Sequence, residues 1–411
     1  MLDVTERKVL GEAYSSTKAL DNLTTLCDTY GGRFAGSKEN RESAEYILGL
    51  YEENGFNDPH LESFRFMGCE VGESSLKIKD HTARLKTLTL PMTPSGSVEG
   101  ELVPVENMGD VDLDGKIILS TNRLPLRECV EAGAVGFIWM HPFPMMGPPT
   151  GVVPKLVPSV SVKHEDGLLL KRFAERNLTI SIETECRVFE RESWNVCGEV
   201  TGSGDEYVLL GGHYDGHEIA QAAFDCGAAC MGITEMGRIL SDVRLKGNLS
   251  VVCFSAEEFG FHGSIAYAKR HADEMKDMRF TYQLDCNGGY EHQMVTTDYW
   301  PQLEPFFGNL RDDLDLPMPY SQRMGPGDSR AFHGLGIPTG SINDYRNPGR
   351  LPLLKTVRHT EYDTIDKISL KGLQNDVAIG AVSTMRILAS DDWPEHRSLE
   401  EVEVLKRRLQ G

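Results

Sequence analysis

The chain has 411 residues, of which 40% are hydrophobic and 25% charged, with a formal net charge of −20. That length exceeds one ordinary core and indicates two domains, or one domain carrying an insertion. The acidic surface excludes nucleic acid as a natural partner, and no run is long and apolar enough to cross a membrane.

In chain order, the first clear element is a helix in ESAEYILGLYEENGF, where Ala44, Ile47, Leu48 and Tyr51 recur at helical spacing and Gly55 suits the end. The glycine-rich turn YGGRFAGSKEN leads into it. Between about Glu62 and Arg191 the texture changes to short alternating runs, GELVPV, GKIILST, GFIWMH, SVSV and LTISIET, punctuated by Pro and Gly. Helices are expected there around LRECVEAGA and EDGLLLKRFAER. From Trp194 strand and helix alternate. EYVLLGG, LSVVCFS, FTYQL and IPTGSI read as strands, and CGAACMGITEMGRIL, GSIAYAKRHADEM and SLKGLQNDVAIGAVSTMRIL as helices. This alternation predicts an α/β fold, a three-layer α/β/α sandwich with a mixed, mostly parallel sheet and a β-rich inserted domain. Residues 1–61 and 192–411 would form the catalytic domain and 62–191 the insert.

Three apolar strands each end in a candidate ligand: His213 and Asp215 after YVLLGG, Glu257 and Glu258 after LSVVCFSA, and Asp285 after FTYQL. Adjacent parallel strands would bring them to one sheet edge, where α/β folds bind ligands. Asp225 lies on the way into the next helix, and His359 precedes the last long one. Two histidines with three carboxylates suit zinc or a similar divalent ion, and one carboxylate can bridge two ions. Of two adjacent glutamates, one can ligate while its neighbour moves the proton of an attacking water. Asp215 can accept the second ring N–H of His213. Taken singly, each piece also reads as a solvated turn, an exposed acidic face or a helix cap; their shared place at strand ends gives the set its weight.

The blocks GGRFAGS, NVCGEVTGS, GGHYDGH, AAFDCGAA, AEEFGFHGS, QLDCNGG, GLGIPTGSI and RHTEYDTIDKI resemble the di-zinc exopeptidases, the family of bacterial leucyl aminopeptidases, glutamate carboxypeptidases and plasma glutamate carboxypeptidase. DLDGKIILSTN and CVEAGAVGFIWMH resemble a protease-associated insert. The resemblance implies that Asp225 bridges two zinc ions, with His213 and Asp285 completing one shell and Glu258 and His359 the other. It makes Glu257 the general base, Asp215 the orienter of His213, and the Asp225–Cys226 peptide cis. Cys226 stands where the family usually has Asn, and Arg358 where it often has Tyr. Arg358 can hold an oxyanion or a substrate carboxylate, or pair with an acid such as Glu361. His217, Asp328 and Arg323 are further candidate substrate contacts.

The expected activity is hydrolysis of amide bonds in small peptides by a metal-activated water. A non-peptide amidohydrolase and a single-zinc glutaminyl cyclase stand as alternatives, with Mn2+ or Co2+ as other metals. The expected partner is a small peptide or amide, with no nucleic acid and no membrane; a homodimer is left open. Nine scattered cysteines and a start, MLDVTERKVLGEAY, without basic and apolar leader regions read as a cytoplasmic protein.

Overall fold

The structure is a computed structural model that describes residues 1–107, 109, 111–289, 293–322, 327–344 and 356–410. The chain divides into two compact units. One comprises Met1–Phe64, Glu192–Leu354 and Asp363–Gly411; the other comprises Arg65–Arg191 and Lys355–Tyr362.

In the first unit the strands lie in the order Tyr320–Gln322, Gln293–Thr297, Thr339–Asp344, Met278–Leu284, Tyr207–His213, Asn248–Phe254 and the last part of Thr179–Val200. Met278–Leu284, Tyr207–His213 and Asn248–Phe254 are parallel neighbours, in a register that sets Gly212 beside Leu284 and His213 beside Phe254. Antiparallel pairing occurs where Gln293–Thr297 meets Thr339–Asp344 and where Thr179–Val200 meets Asn248–Phe254. Every residue of Tyr207–His213 is buried, as a strand covered on both faces requires. On one face, Leu209, Val252 and Phe254 pack with Tyr267 of helix His262–Arg270 and with Phe332 of Ser329–His333. Helix Ala228–Ser241 is buried at all but two positions, and it packs against Leu370–Ala389, Lys18–Tyr30 and Val4–Ser15. The sandwich class read from the strand–helix alternation therefore holds.

The second unit is also built around strands. Gly96–Pro104, Lys116–Ser120, Gly136–Met140 and Ser159–Val162 run parallel, flanked by Thr87–Thr89 and by the first part of Thr179–Val200. Alternate residues supply opposite cores: Ile117 and Leu119 join one cluster with Phe173 of helix His164–Ala174, while Ile118 joins the other with Leu126 and Cys129. Period-two patterning in the sequence produces this division directly.

Some elements carry little apolar signal. Helix Val4–Ser15 buries only Glu6, Val9 and Ala13. An Asp3–Glu6 capping box starts it, and Glu6 receives Arg386 Nε at 2.6 Å, so a polar pair does work that sequence periodicity assigns to hydrophobes. The helix in GSIAYAKRHADEM ends at Arg270. There the His271 ring turns to Glu62 and Glu274, at 2.7 and 3.0 Å. Gln293–Thr297 and Tyr320–Gln322 are short strands of mixed polar and apolar residues that the hydrophobic pattern does not mark.

Candidate metal centre

The centre forms at the carboxyl ends of the three parallel neighbours. His213 ends its strand, Asp285 follows Leu284, and Glu257 and Glu258 stand three and four residues beyond Phe254. His213 Nδ1 lies 3.1 Å from the main-chain carbonyl of Asp215. A carbonyl only accepts, so Nδ1 carries the proton and Nε2 presents its lone pair. That lone pair faces Asp225 Oδ1 at 3.3 Å and Asp285 Oδ1 at 3.9 Å. His213 and Asp225 are buried, and Asp285 Oδ1 is a buried atom with no hydrogen-bond partner among the described residues. Three acceptors converging in a buried place repel one another unless a cation sits among them. Burial alone lowers the His213 pKa, but Cys226, Glu257, Asp215 and Asp225 outweigh it and raise it well above the imidazole range; without a metal ion the ring takes a second proton on Nε2, at the position that a metal ion would take in its place. The geometry seeks positive charge, and histidine nitrogen with carboxylate oxygen is a donor set that fits a zinc-like ion. Cys226 Sγ belongs to the same group of mutually close donors, but it points to the Leu284 carbonyl at 3.6 Å and burial pushes its thiol up to about 12.

Asp215 acts through two atoms sets. Its carbonyl fixes the His213 ring, whereas its carboxylate, 3.4 Å from Nδ1, accepts the main-chain N–H groups of Glu257 at 3.2 Å and Glu258 at 3.4 Å. The side chain thus clamps the Glu-Glu turn more closely than it touches the histidine. Below that turn Ser255 is tied to Asn40 and Ser193, at 3.0 and 2.8 Å. Burial raises the Glu257 carboxyl well above the usual carboxylate range, and repulsion from Glu258, Asp285 and Asp328 adds to it while His213 opposes. Such a group holds a proton more readily than a surface glutamate. Glu258 Oε2 lies 3.1 Å from His217 Nε2, and both side chains are nearly inaccessible to solvent.

Two residues not singled out by sequence hold the Asp225 segment. Arg33 is fully buried. Its guanidinium donates to the carbonyls of Tyr214 at 2.6 Å, Gly31 at 2.8 Å, Gln221 at 2.6 Å and Ala222 at 2.9 Å. Asp363 accepts the main-chain N–H groups of Phe224 at 2.7 Å and Asp225 at 3.0 Å. The Asp225–Cys226 peptide is cis. The only sequence signal for Arg33 is a charge set between Gly32 and Phe34; for Asp363, it is an acid four residues after His359.

The remaining candidates distribute as follows. Asp328 is buried in the first unit, with its pKa raised mainly by burial. Arg358 and His359 belong to the second unit, where His359 Nδ1 meets the Thr150 carbonyl at 2.9 Å. The Arg123 guanidinium lies 3.3 Å from the same nitrogen. Glu361, the acid considered for Arg358, is engaged by Lys86 at 3.0 Å. Arg323 lies outside the described residues.

A mixed α/β/α sheet with acids and imidazoles gathered at its carboxyl edge is an arrangement suited to metal-dependent hydrolysis. Residues 195–382 match peptidase family M28. Mouse carboxypeptidase Q is 26% identical over 413 residues, covering 91% of this chain and 86% of the relative. The solved peptidase M28 precursor of Shewanella amazonensis SB2B superposes with a TM-score of 0.84 at 22% identity, over 96% of this chain and 98% of that one. BSAP, a zinc aminopeptidase from Bacillus subtilis, superposes with a TM-score of 0.72 at 20% identity, over 89% and 94%. Over residues 195–382 the chain is thus similar to peptidase family M28, and with carboxypeptidase and aminopeptidase relatives it is a metal-dependent peptide-bond hydrolase.

The cytoplasmic expectation is corrected: the carboxypeptidase Q relatives are secreted or lumenal proteins. Cysteine usage misleads here for a physical reason. No disulfide joins any of the nine cysteines, all of which are among the described residues, and eight of them are buried, so packing shields their thiols whatever the redox state outside.

Proposed function

We propose that the protein is a two-zinc exopeptidase that removes a terminal residue from small peptides. The observation that supports this reading best is the buried lone pair of His213 aimed between Asp225 and Asp285, at 3.3 and 3.9 Å. His213 and Asp285 would hold one ion, Glu258 the other, and Asp225 would be shared; the sequence pattern assigns His359 to the Glu258 ion. When bound, zinc acidifies a water and polarises the scissile carbonyl.

The chain's residues supply the rest. Glu257, with its carboxyl raised by burial, takes the proton from the attacking water and delivers it to the departing amine. Asp215 holds the Glu257 and Glu258 main chain, which fixes where that proton is exchanged. Asp328 is an acid suited to a peptide's free amine, and Arg358 a cation suited to an oxyanion or a terminal carboxylate. Manganese or cobalt would satisfy the same donors.

Glu257→Gln tests the assignment. Turnover of a dipeptide library is expected to fall by about three orders of magnitude or more while both zinc ions stay bound. Near-normal turnover would overturn the role of Glu257. A stoichiometry of one zinc in the wild-type chain would favour cyclase-type chemistry instead.

A further inference from the structure

We propose that His217 is itself a metal ligand, bound through Nε2 to the ion held by Glu258. The proposal rests on the two-metal reading above and goes beyond the ligand set that the sequence resemblance supplies, which has no residue at this position. Its first support is distance. With zinc–nitrogen and zinc–oxygen bonds of about 2.1 Å, two ligands on one ion stand about 3.0 Å apart at a right angle and about 3.4 Å apart at a tetrahedral angle. The His217 Nε2 to Glu258 Oε2 distance, 3.1 Å, falls inside that window. So does the 3.3 Å edge between His213 and Asp225.

The second support is how firmly the ring is held. The loop from Tyr214 to Ala222 is pinned by one residue: the Arg33 guanidinium takes the carbonyls of Tyr214, Gln221 and Ala222, and the Arg33 carbonyl accepts Gly216 N–H at 3.3 Å. The His217 backbone rests on Gly32, where a Cβ would come within 2.7 Å of the His217 carbonyl oxygen; only glycine admits this approach. The His217 ring lies beside Phe34, with centroids 6.2 Å apart, and Phe34 packs on Phe259 at 4.9 Å. A buried imidazole is thus carried on a fixed loop, beside the Phe34 ring, with its Nε2 at a carboxylate. Burying these groups without a shared cation or proton is costly, and a zinc ion meets the need of both.

The consequence is a second ion with three protein donors, Asp225, Glu258 and His217, so that its retention does not depend on residue 359 alone. The alternative is that His217 only donates a hydrogen bond to Glu258. Loss of metal affinity on mutation does not separate the two, because a hydrogen-bonding partner of a ligand also tunes affinity.

Scalar coupling does separate them. The full-length metal-free chain is loaded with NMR-active cadmium, and coupling from cadmium to histidine ring protons is recorded; it requires a direct bond. Coupling to a ring that disappears in His217→Gln, and in His217→Asn as a second variant, while the other cadmium-coupled rings keep theirs, is the expected result. Two cadmium ions bound with no coupling to His217 overturns this proposal and leaves the two-metal reading standing. Failure of the wild-type chain to bind two ions overturns both.

Discussion

Arg33→Met is the sharpest test of how the centre is held. The substitution keeps length and apolar volume but removes a buried charge that donates to four carbonyls, at 2.6 to 2.9 Å. Not all four are orphaned. Ala222 still accepts Gly227 N–H at 3.0 Å, and Gln221 retains a long contact of 3.8 Å from the Cys27 thiol. The Tyr214 carbonyl bears most of the loss, at about 1–3 kcal/mol for an unsatisfied buried acceptor. Asp363, whose pKa Arg33 helps to hold down against burial, also loses its compensating charge. Breaking one side of a buried charge network typically costs about 3–5 kcal/mol, and we expect Arg33→Met to fall in that range. Arg33→Lys should recover only part of it, since an ammonium cannot serve acceptors spread around a planar fork. The assay is urea unfolding of the metal-free protein followed by far-UV circular dichroism, paired with zinc titration. A midpoint change worth less than about 0.5 kcal/mol, the ordinary surface range, would refute the reasoning, as would an unchanged zinc affinity for a variant whose Asp225 loop is meant to be loosened.

Two other outcomes follow from the same geometry. Asp215→Asn leaves one oxygen to accept where the carboxylate serves both Glu257 and Glu258 N–H groups; zinc affinity should fall about 10- to 100-fold, read by competition with a chromophoric chelator, and an unchanged affinity would show that the clamp is idle. The Glu62 carboxylate beside His271, at 2.7 Å, raises the histidine's pKa above 6.5, with Glu274 adding to the effect. A raised folded-state pKa contributes stability that is complete below about pH 6.5 and is lost as pH rises through the folded value. Thermal midpoints of the metal-free protein measured from about pH 6 to about pH 9 should therefore decline, and the wild-type excess over His271→Gln should shrink across that range; parallel profiles would refute the assignment.

The fold was legible where burial on both faces writes itself into composition. YVLLGG and the VVCF of LSVVCFS are apolar at successive positions, as a sheet covered on both faces favours, while FTYQL alternates and buries Thr281 and Gln283 through their mutual hydrogen bond at 2.7 Å; the helices between them carry wide apolar faces. Legibility failed where polar contacts replace hydrophobic ones. Helix Val4–Ser15 is seated through Glu6 on Arg386, and the helix after Phe261 stops where His271 finds Glu62 and Glu274. Those partners are distant in sequence, and no local period reports them.

The same division runs through the centre. A residue at the end of a strand inherits its position from the strand, so His213, Asp285 and the Glu257–Glu258 pair could be grouped from order alone, and the structure brings His213, Asp225 and Asp285 within a shared donor cluster. A residue that acts by gripping a loop inherits nothing local. Arg33 reaches carbonyls more than 180 residues away, and Asp363 reaches amides more than 130 away. His217 sits between these cases. Its sequence position places it near the centre, but its relation to Glu258 depends on a loop whose course is set by Arg33 and Gly32. Sequence order therefore identifies donors carried by rigid elements, while donors carried by loops become identifiable only once the groups that immobilise those loops are known. In this chain, the two kinds meet at the Asp225 turn, where a strand-borne histidine faces a carboxylate whose place is fixed by an arginine and an aspartate from opposite ends of the sequence.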